Sequence, residues 1–222
     1  MIEEILPSIV LAEEAYDDTS RGGPGAALYP EEAEVIAKAV AQRRREFTTV
    51  RACARAALGR LGLPPAPLLP GKRGAPQWPD GIVGSMTHCE GYRAAVVSRA
   101  SRSLAIGIDA EPNGPVPDGV LEAISLPSEQ KWVSALSARR PEVHWDRLLF
   151  SAKESVFKTW YPQTGIELDF VEAEIEVDES ERTFEARFLV PAPLIGGTHM
   201  RGFSGRWLVR DGLIVTGIHL PR

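Results

Sequence analysis

The sequence predicts an α+β fold built from two similar half-domains, with the functional site in the cleft between them. Helical sequence followed by antiparallel strand patterns occurs twice along the 222 residues, and a proline-rich break over 112–117 separates the two runs. This length allows each half its own core. We therefore expect a lead-in segment over 1–29, an N-terminal half over 30–111 and a C-terminal half over 112–222.

The composition is that of an ordinary globular protein in a reducing compartment. Hydrophobic residues make up 44% and charged residues 25%, and the net charge is −5, which argues against duplex DNA as the main ligand. Cys53 and Cys89 have no paired spacing and are interpreted as free structural thiols. Apolar runs are too short to span a bilayer, and the acidic start does not resemble a signal peptide. We expect a cytoplasmic protein that binds neither membrane nor nucleic acid.

The N-terminal half begins with helix signals. The segment Ala12–Pro30 is acidic and then rich in glycine and proline, and it predicts a loose connection. Pro30 and the two glutamates after it suit a helix start. Helical sequence runs to about Leu61, in one or two pieces. Its apolar stripe comprises Phe47, Val50, Ala54, Ala57, Leu58 and Leu61.

Strand patterns follow in both halves. A loop rich in proline and glycine covers residues 62–81, and loops of that length are usually functional or disordered. The second half repeats the order, and Asp211-Gly212 predicts a tight hairpin. The predicted strands are 81–88, 92–98, 103–109, 172–177, 183–190, 205–210 and 213–220, and the predicted second-half helices are 128–139 and 145–161.

Two carboxylates end the third predicted strand. Asp109 and Glu111 are two residues apart, so an extended backbone directs both to one face. Carboxylates at close range repel each other unless a cation lies between them, and Mg²⁺ binds such oxygens together with substrate phosphate. Taken alone, the pair is more often a solvated strand end before Pro112.

The stretch "SAKESVFK", residues 151–158, carries charges among large apolar side chains. Glu154 and Lys158 lie opposite the apolar face of the helix, with Phe150 and Phe157 beside Glu154. A capping box at Ser151 is excluded because the apolar periodicity already begins at Trp145. An ordinary Glu–Lys pair remains an alternative. The apolar face comprises Trp145, Leu148, Leu149, Ala152, Val156 and Trp160.

Basic and hydrogen-bonding groups lie elsewhere in the chain. Guanidinium groups suit phosphate, and Arg44 and Arg51 are nearly eclipsed on their helix, with Arg43 within reach of a shared anion. A solvated charged face is the alternative. Lys72 and Arg73 either close over a ligand or face solvent. Polar groups that could hold phosphate or a base edge end the first predicted strand: Ser85, Thr87 and His88. A lone histidine there is usually structural.

Three motifs occur in one order: "GSMTH" at 84–88, "GIDAE" at 107–111 and "FSAKESVFK" at 150–158. Together with "RRREFTTVRACARAAL" at 43–58, they resemble the 4′-phosphopantetheinyl transferases of the large, surfactin/siderophore-associated class. The resemblance is strongest to actinobacterial members serving polyketide and nonribosomal peptide pathways, and it covers residues 30 to about 165 well. It implies a monomer of two α+β halves related by a pseudo-twofold axis.

The resemblance also implies the activity. Family members move the phosphopantetheine arm of coenzyme A to a serine of apo acyl- or peptidyl-carrier proteins of polyketide, nonribosomal peptide or fatty-acid synthases. They release adenosine 3′,5′-bisphosphate and need Mg²⁺, with Mn²⁺ as a possible substitute. The implied metal ligands are Asp109, Glu111 and Glu154, and the implied coenzyme A ligands are Arg43, Arg51, Lys72, Arg73, Ser85, Met86, Thr87, His88, Asp109, Lys153, Glu154 and Lys158.

Several points stay open at this stage. Glu154 is the expected base, acting directly or through a water on the metal, and Lys158 is expected to stabilise the leaving group. Phe150 and Phe157 either line the channel for the pantetheine arm or pack in the core. The motif favours Arg43 as the partner of Arg51, whereas helix geometry favours Arg44. Pro70 stands where near relatives often carry a basic residue, so Lys72 or Arg73 must supply that charge. A regulatory module that binds coenzyme A or a nucleotide without transfer is the alternative function.

Overall fold

The computed structural model describes residues 1–16 and 26–222. The first half contains a three-stranded antiparallel sheet with the strand order β1-β3-β2. Of the two longer strands, β3 is buried along almost its whole length, whereas buried and partly buried residues alternate along the second half of β2. The strands are β1 Leu11–Ala15, β2 Ile82–Cys89 and β3 Tyr92–Arg99.

A five-stranded antiparallel sheet has the order β4-β10-β9-β6-β5, so β4, whose residues were predicted in the first half, pairs with strands of the second. Asp211 and Gly212 both have positive φ in the turn between the last two strands, as the hairpin signal predicts. The strands are β4 Ser103–Pro112, β5 Ala173–Asp178, β6 Thr183–Phe188, β7 Leu194–Ile195, β8 Thr198–His199, β9 Gly202–Arg210 and β10 Leu213–Pro221, of which β7 and β8 form a separate pair.

One long helix covers each sheet, which confirms the α+β class. The helix α2 packs on β1 and β3, and α5 packs on β4 and β10. The predicted apolar stripes of both helices are buried, apart from Leu61 just beyond the end of α2, which is partly buried. The helices are α1 Pro30–Val35, α2 Ala41–Arg60, α3 Val120–Ile124, α4 Pro127–Arg139 and α5 Trp145–Thr164.

The two sheets meet where β2 runs beside β4. Two buried side chains of β2 join the strands: the backbone N–H of Ile108 donates to Ser85 Oγ at 3.1 Å, and that of Ala110 donates to Thr87 Oγ1 at 3.0 Å. Both bonds span 23 residues, so the strands run parallel at this seam. The seam brings the end of β2 next to the carboxylates of β4.

A glycine sets the distance between α5 and β4. A Cβ on Gly107 would lie 2.1 Å from Thr159 Oγ1 and 2.2 Å from the carbonyl oxygen of Ser155. No other residue type fits without displacing the helix. This close approach fixes the height of α5 above the strand that carries Asp109.

The structure corrects one sequence prediction and adds small elements. The segment from Ala12 onward was predicted to be loose, but its first residues form β1, because Ala12 and Ala15 are buried on opposite faces of that strand in two different core clusters. Residues 17–25 lie outside the described residues. The short α3, β7 and β8 were not predicted. The half-domain boundaries stay a prediction. Across the described ranges, no helix combines the length and apolarity needed to cross a bilayer.

Candidate active site

A cleft of ≈ 930 Å³ lies between the halves. Both long helices, the loop before β2 and the ends of β2 and β4 line it. The cleft collects most of the residues that the sequence singled out. Those in its lining are Arg43, Arg51, Arg73, Ser85, Met86, Thr87, His88, Asp109, Glu111, Phe150, Glu154, Phe157 and Lys158.

One end of the cleft is built on Asp109, which is 4% exposed. Lys158 Nζ donates to its Oδ1 at 2.6 Å, and the hydroxyl of Thr87 donates to the same oxygen at 3.2 Å. Its other oxygen, Oδ2, is buried and accepts no hydrogen bond from any residue that the structure describes. Thr87 therefore orients Asp109, and Oδ2 is left as an acceptor within the cleft lining.

Glu111 continues the acidic end, and both carboxylates face the cleft as the strand alternation predicts. Its Oε2 accepts a hydrogen bond from Arg147 Nη1 at 3.0 Å. Burial raises the pKa of Glu111 to about 7, and the charge of Asp109 adds to the rise. The two carboxylates thus repel each other although each has a cationic partner.

The acidic end fits a hard divalent ion by donor chemistry. Its donors are carboxylate oxygens, and Asp109 Oδ2 has a free coordination position. Within the described residues, however, no three His, Cys, Asp or Glu side chains are gathered as a metal site. Lys158 and Arg147 hold Asp109 and Glu111 in this arrangement. The two carboxylates would have to exchange these cations for the ion.

Glu154 and Lys158 lie one helical turn apart on α5. Burial raises the pKa of Glu154, whereas the charge of Lys158 opposes that rise. For Lys158, burial alone would lower the pKa, but the carboxylates of Asp109, Glu154 and Glu111 raise it overall. At neutral pH the site therefore combines a firmly cationic lysine with a glutamate of increased proton affinity.

A second group of residues in the cleft is cationic. Arg43 Nη1 contacts His88 Nε2, and both residues line the cleft. Glu46 lies behind them, with Oε2 3.4 Å from His88 Nδ1 and 3.8 Å from Arg43 Nη1. Burial and the charge of Arg43 lower the pKa of His88 to about 4. His88 is therefore neutral at pH 7 in this arrangement.

Arg51 is held rigidly at the cleft wall. Its Nε donates to the carbonyl of Leu68 at 2.9 Å and lies 3.6 Å from Glu32 Oε1, and its guanidinium stacks on Phe47. Burial lowers the pKa of Arg51 to about 10, so it remains protonated at neutral pH. A fixed guanidinium next to the pair of Arg43 and His88 makes this end suitable for phosphate.

The structure separates the other arginines of α2. Arg44 donates to the carbonyl oxygens of Ala37 and Ala39, so helix geometry wrongly favoured it as the partner of Arg51. Arg55 binds the fully buried Glu32 at 2.8 Å. Arg44 thus binds the segment after α1, and Arg55 binds α1 and the segment before it. Of the two candidates at the start of α2, Arg43 and not Arg44 lines the cleft with Arg51.

Lys153 does not line this cleft, although it lines a smaller neighbouring cavity, and its ammonium group is bound by the protein itself. It is 3% exposed, and its ammonium donates to the carbonyls of Phe170 and Ala173 at 2.6 and 2.8 Å and lies 2.9 Å from Glu129 Oε1. Burial lowers its pKa and Glu129 opposes the shift. Positions 149 and 156 on the same face are apolar and buried, and this signal could have revealed a structural lysine.

The loop before β2 supplies Arg73, whereas Lys72 is exposed and does not line the cleft. Arg73 forms an ion pair with Glu167, which does not itself line the cleft. Both residues also line a smaller cavity of ≈ 310 Å³, which shares Glu154 and Phe157 with the cleft. Arg73 is thus the residue that can supply the charge absent at Pro70.

Sequence reasoning missed three residues of the site. Arg147, which binds Glu111, was missed because nothing distinguishes a single arginine near a helix start. Glu32, which binds Arg55, was interpreted only as an acidic residue of the first helical turn. Glu46 is the sole acid on α2, in the middle of a basic run. That isolation was the available signal for a buried counter-charge.

Guanidinium groups, carboxylates and a lysine line one cleft, an arrangement that suits a ligand with several phosphate groups. The family model of the 4′-phosphopantetheinyl transferase N-terminal domain matches residues 31–98, and that of the 4′-phosphopantetheinyl transferase superfamily matches residues 105–201. The chain therefore belongs to the 4′-phosphopantetheinyl transferases.

Named relatives support this assignment over nearly the full length. The chain is 63% identical to 4′-phosphopantetheinyl transferase Svp of Streptomyces mobaraensis, over 98% of the chain and 88% of the relative. It is 46% identical to 4′-phosphopantetheinyl transferase PptT of Mycobacterium tuberculosis, over 99% and 98%. It is 45% identical to 4′-phosphopantetheinyl transferase Npt of Nocardia iowensis, over 98% and 99%. The resemblance to actinobacterial members is confirmed.

Proposed function

We propose that this transferase moves the 4′-phosphopantetheine arm of coenzyme A to a serine of apo acyl- or peptidyl-carrier proteins and releases adenosine 3′,5′-bisphosphate. The observation that carries the proposal is the polarity of one cleft. Arg43, Arg51 and His88 line the same cleft as Asp109 and Lys158, so two groups of charged and polar side chains lie next to each other. A ligand with phosphates at two separate points matches that distribution.

The nucleotide end of coenzyme A binds at the cationic end. Arg43, Arg51 and His88 hold the 3′-phosphate, because guanidinium and imidazole N–H groups are strong donors to phosphate oxygens. Arg51 is already fixed by Leu68 and Phe47, so little side-chain freedom is lost when the anion binds. Ser85 and the backbone of Met86 add contacts along β2.

The pantetheine arm extends past the two phenylalanine side chains of α5 that line the cleft. Phe150 and Phe157 line the cleft, and the smaller cavity beyond Phe157 is lined partly by Leu168 and Phe170. An elongated, largely apolar arm gains from leaving water in such a channel. Arg73, at the boundary of both cavities, lies where it can contact the phosphate of the arm.

The reaction is a phosphoryl transfer. The serine oxygen of the carrier forms a bond to the phosphorus bearing the pantetheine arm, and the bond from that phosphorus to the bridging oxygen of the pyrophosphate breaks. Lys158 stabilises the charge that develops on the bisphosphate. Glu154 takes the serine proton, a role that suits a carboxylate whose pKa burial has raised.

Asp109, Glu111 and Glu154 would hold Mg²⁺, with Mn²⁺ as a substitute. The chemistry that the ion supplies when bound is neutralisation of charge on the pyrophosphate oxygens. The unpartnered Asp109 Oδ2 supports this assignment from the protein side. Arg147 keeps Glu111 at the cleft by binding its carboxylate together with the carbonyls of Gly114 and Pro115.

The carrier proteins would come from polyketide, nonribosomal peptide or fatty-acid synthases. Monomeric state and cytoplasmic location stay predictions of the sequence. A regulatory module without transfer would have no use for the acidic end of the cleft.

The test is a transfer assay read by mass. The protein is incubated with coenzyme A, Mg²⁺ and a panel of apo carriers, each beside a carrier whose modified serine is replaced by alanine. The proposal expects a mass gain of one phosphopantetheine on intact carriers alone, with stoichiometric bisphosphate release. Binding of coenzyme A with no carrier modified across the panel would favour the regulatory module instead.

A further inference from the structure

We propose that Glu46 is a positioning residue that holds His88 and Arg43 ready to grip the 3′-phosphate of coenzyme A. The proposal rests on the proposed function, since it concerns the same nucleotide end of the cleft. Glu46 itself does not line the cleft. It acts from behind the two residues that do.

The contacts of Glu46 place a nearly buried carboxylate among cations. Its side chain is 11% exposed. Oε2 faces His88 Nδ1 at 3.4 Å and Arg43 Nη1 at 3.8 Å. Oε1 accepts a hydrogen bond from Gln42 at 3.1 Å and lies 3.8 Å from Arg93 Nη2. These contacts come from the preceding turn of α2 and from the strands β2 and β3, so they restrain the carboxylate from several sides.

A carboxylate behind an anion site repels the ligand, and it favours binding only if it also orients the cationic groups in front of it. Here it can do so, because it lies on the Nδ1 side of His88 while Nε2 points to Arg43. Because an arginine can only donate, its contact with Nε2 assigns the Nδ1–H tautomer, and Nδ1 lies 3.4 Å from the carboxylate of Glu46. The Nε2 atom is then left on the side of the cleft.

Binding of phosphate changes the partners of His88. In the ligand-free arrangement Arg43 donates to Nε2 and the ring is neutral. The charged groups that act on the ring are Arg43 and Glu46 on α2, Arg93 on β3 and Lys158 on α5. A phosphate between Arg43 and His88 takes over the guanidinium, and Nε2 gains one proton from solvent. The imidazolium then donates to the phosphate from Nε2 and to Glu46 from Nδ1.

Glu46 therefore acts on the ligand through His88: the carboxylate stabilises the imidazolium, and the imidazolium binds the phosphate. Without the carboxylate, the protonated ring would face only cations on its protein side. Binding energy for the 3′-phosphate would then decrease although no residue that touches the ligand had changed. The effect should be specific to ligands that carry this phosphate.

The test combines affinity with the protonation state of His88. Coenzyme A and 3′-dephospho-coenzyme A are titrated calorimetrically into the wild type, Glu46→Gln, Glu46→Asp and the control Glu34→Gln, which makes the same change on the exposed face of α1. Nitrogen-15 spectra of the histidines, with His88 assigned by His88→Gln, are recorded with and without coenzyme A at pH 7.

We expect Glu46→Gln to weaken coenzyme A binding by about tenfold, a fraction of one charge-assisted bond. Affinity for 3′-dephospho-coenzyme A should hardly change, Glu46→Asp should recover part of the loss, and Glu34→Gln should behave as the wild type. His88 of the wild type should become protonated on binding, and less so in Glu46→Gln.

Equal or tighter coenzyme A binding by Glu46→Gln would overturn the inference, as would equal losses for both ligands or a neutral His88 in the wild-type complex. If Glu46→Gln does not fold, Glu46→Asp and the wild-type spectrum decide. A wild type that binds no coenzyme A would contradict the proposed function, and that outcome differs from all of these.

Discussion

Lys158 Nζ lies 2.6 Å from Asp109 Oδ1 and thereby joins the long helix of the second half to the strand at the centre of the cleft. The ion pair is possible because Gly107 allows α5 to approach β4 closely. It leaves Asp109 Oδ2 unpartnered and keeps a cation next to Glu154. Two residues remote in sequence thus place the acidic and basic groups of the proposed reaction together.

Mutation of the two lysines of "SAKESVFK" should have different effects, one mainly on stability and the other mainly on the transfer rate. Lys153→Met should lower stability by about 3–5 kcal/mol, because it leaves Glu129 buried without its counter-charge, while coenzyme A affinity of the folded protein is unchanged. Lys158→Met should slow transfer steeply with a smaller loss of about 1–2 kcal/mol. Chemical denaturation and single-turnover transfer on both variants measure this. Unchanged stability with weakened coenzyme A binding in Lys153→Met would restore Lys153 as a ligand.

The arginines at the start of α2 offer a matched comparison. Arg43→Gln should weaken coenzyme A binding by about 1.5–3 kcal/mol and 3′-dephospho-coenzyme A binding much less, because it removes a charge-assisted bond to the 3′-phosphate. Arg44→Gln should leave both affinities unchanged, since its guanidinium binds the carbonyls of Ala37 and Ala39. Calorimetric titration of both ligands decides, and a larger effect at Arg44 would contradict the assignment.

The close contact of α5 with β4 makes Gly107 sensitive. Gly107→Ala should destabilise the protein by about 1–3 kcal/mol or more, since the added methyl group meets backbone and side chain of α5. It should also reduce transfer by displacing Lys158 from Asp109. Gly59→Ala, with open space around its Cβ position in α2, should instead stabilise by about 0.5–1 kcal/mol. Thermal melts of the pair test this, and equal behaviour would refute the close approach.

Stability should fall in mild acid through His88. Its folded-state pKa of about 4 lies below the ordinary histidine pKa of 6.5, so the unfolded chain binds more protons between these values. The stability contribution is therefore complete above about pH 6.5 and is lost as the pH falls toward 4. In melts across this window, His88→Gln should lose less stability than the wild type. An equal loss of stability in both proteins over this pH range would show that the pKa of His88 is not lowered in the folded state.

Periodicity predicted the elements because each long helix and strand buries a regular face, as the buried residues Phe47 on α2 and Trp145 on α5 illustrate. Spacing also placed Asp109 and Glu111 on one face. The directions of Lys153 and Arg44 could not be predicted, since each depends on backbone carbonyls supplied by other segments. The cation partners of the carboxylates, Arg147 and Lys158, likewise depend on how α5 docks on β4.

The most direct test of the account is the transfer rate of Glu154→Gln, measured with coenzyme A affinity and thermal stability on the same samples. Glutamine keeps the shape of the side chain but cannot accept the serine proton or balance a cation. Glu122→Gln, which makes the same change on the exposed face of α3, is the control. We expect the rate to collapse while coenzyme A still binds and the melting temperature stays close to that of the wild type. Normal turnover in Glu154→Gln would contradict the assignment of Glu154 as the base.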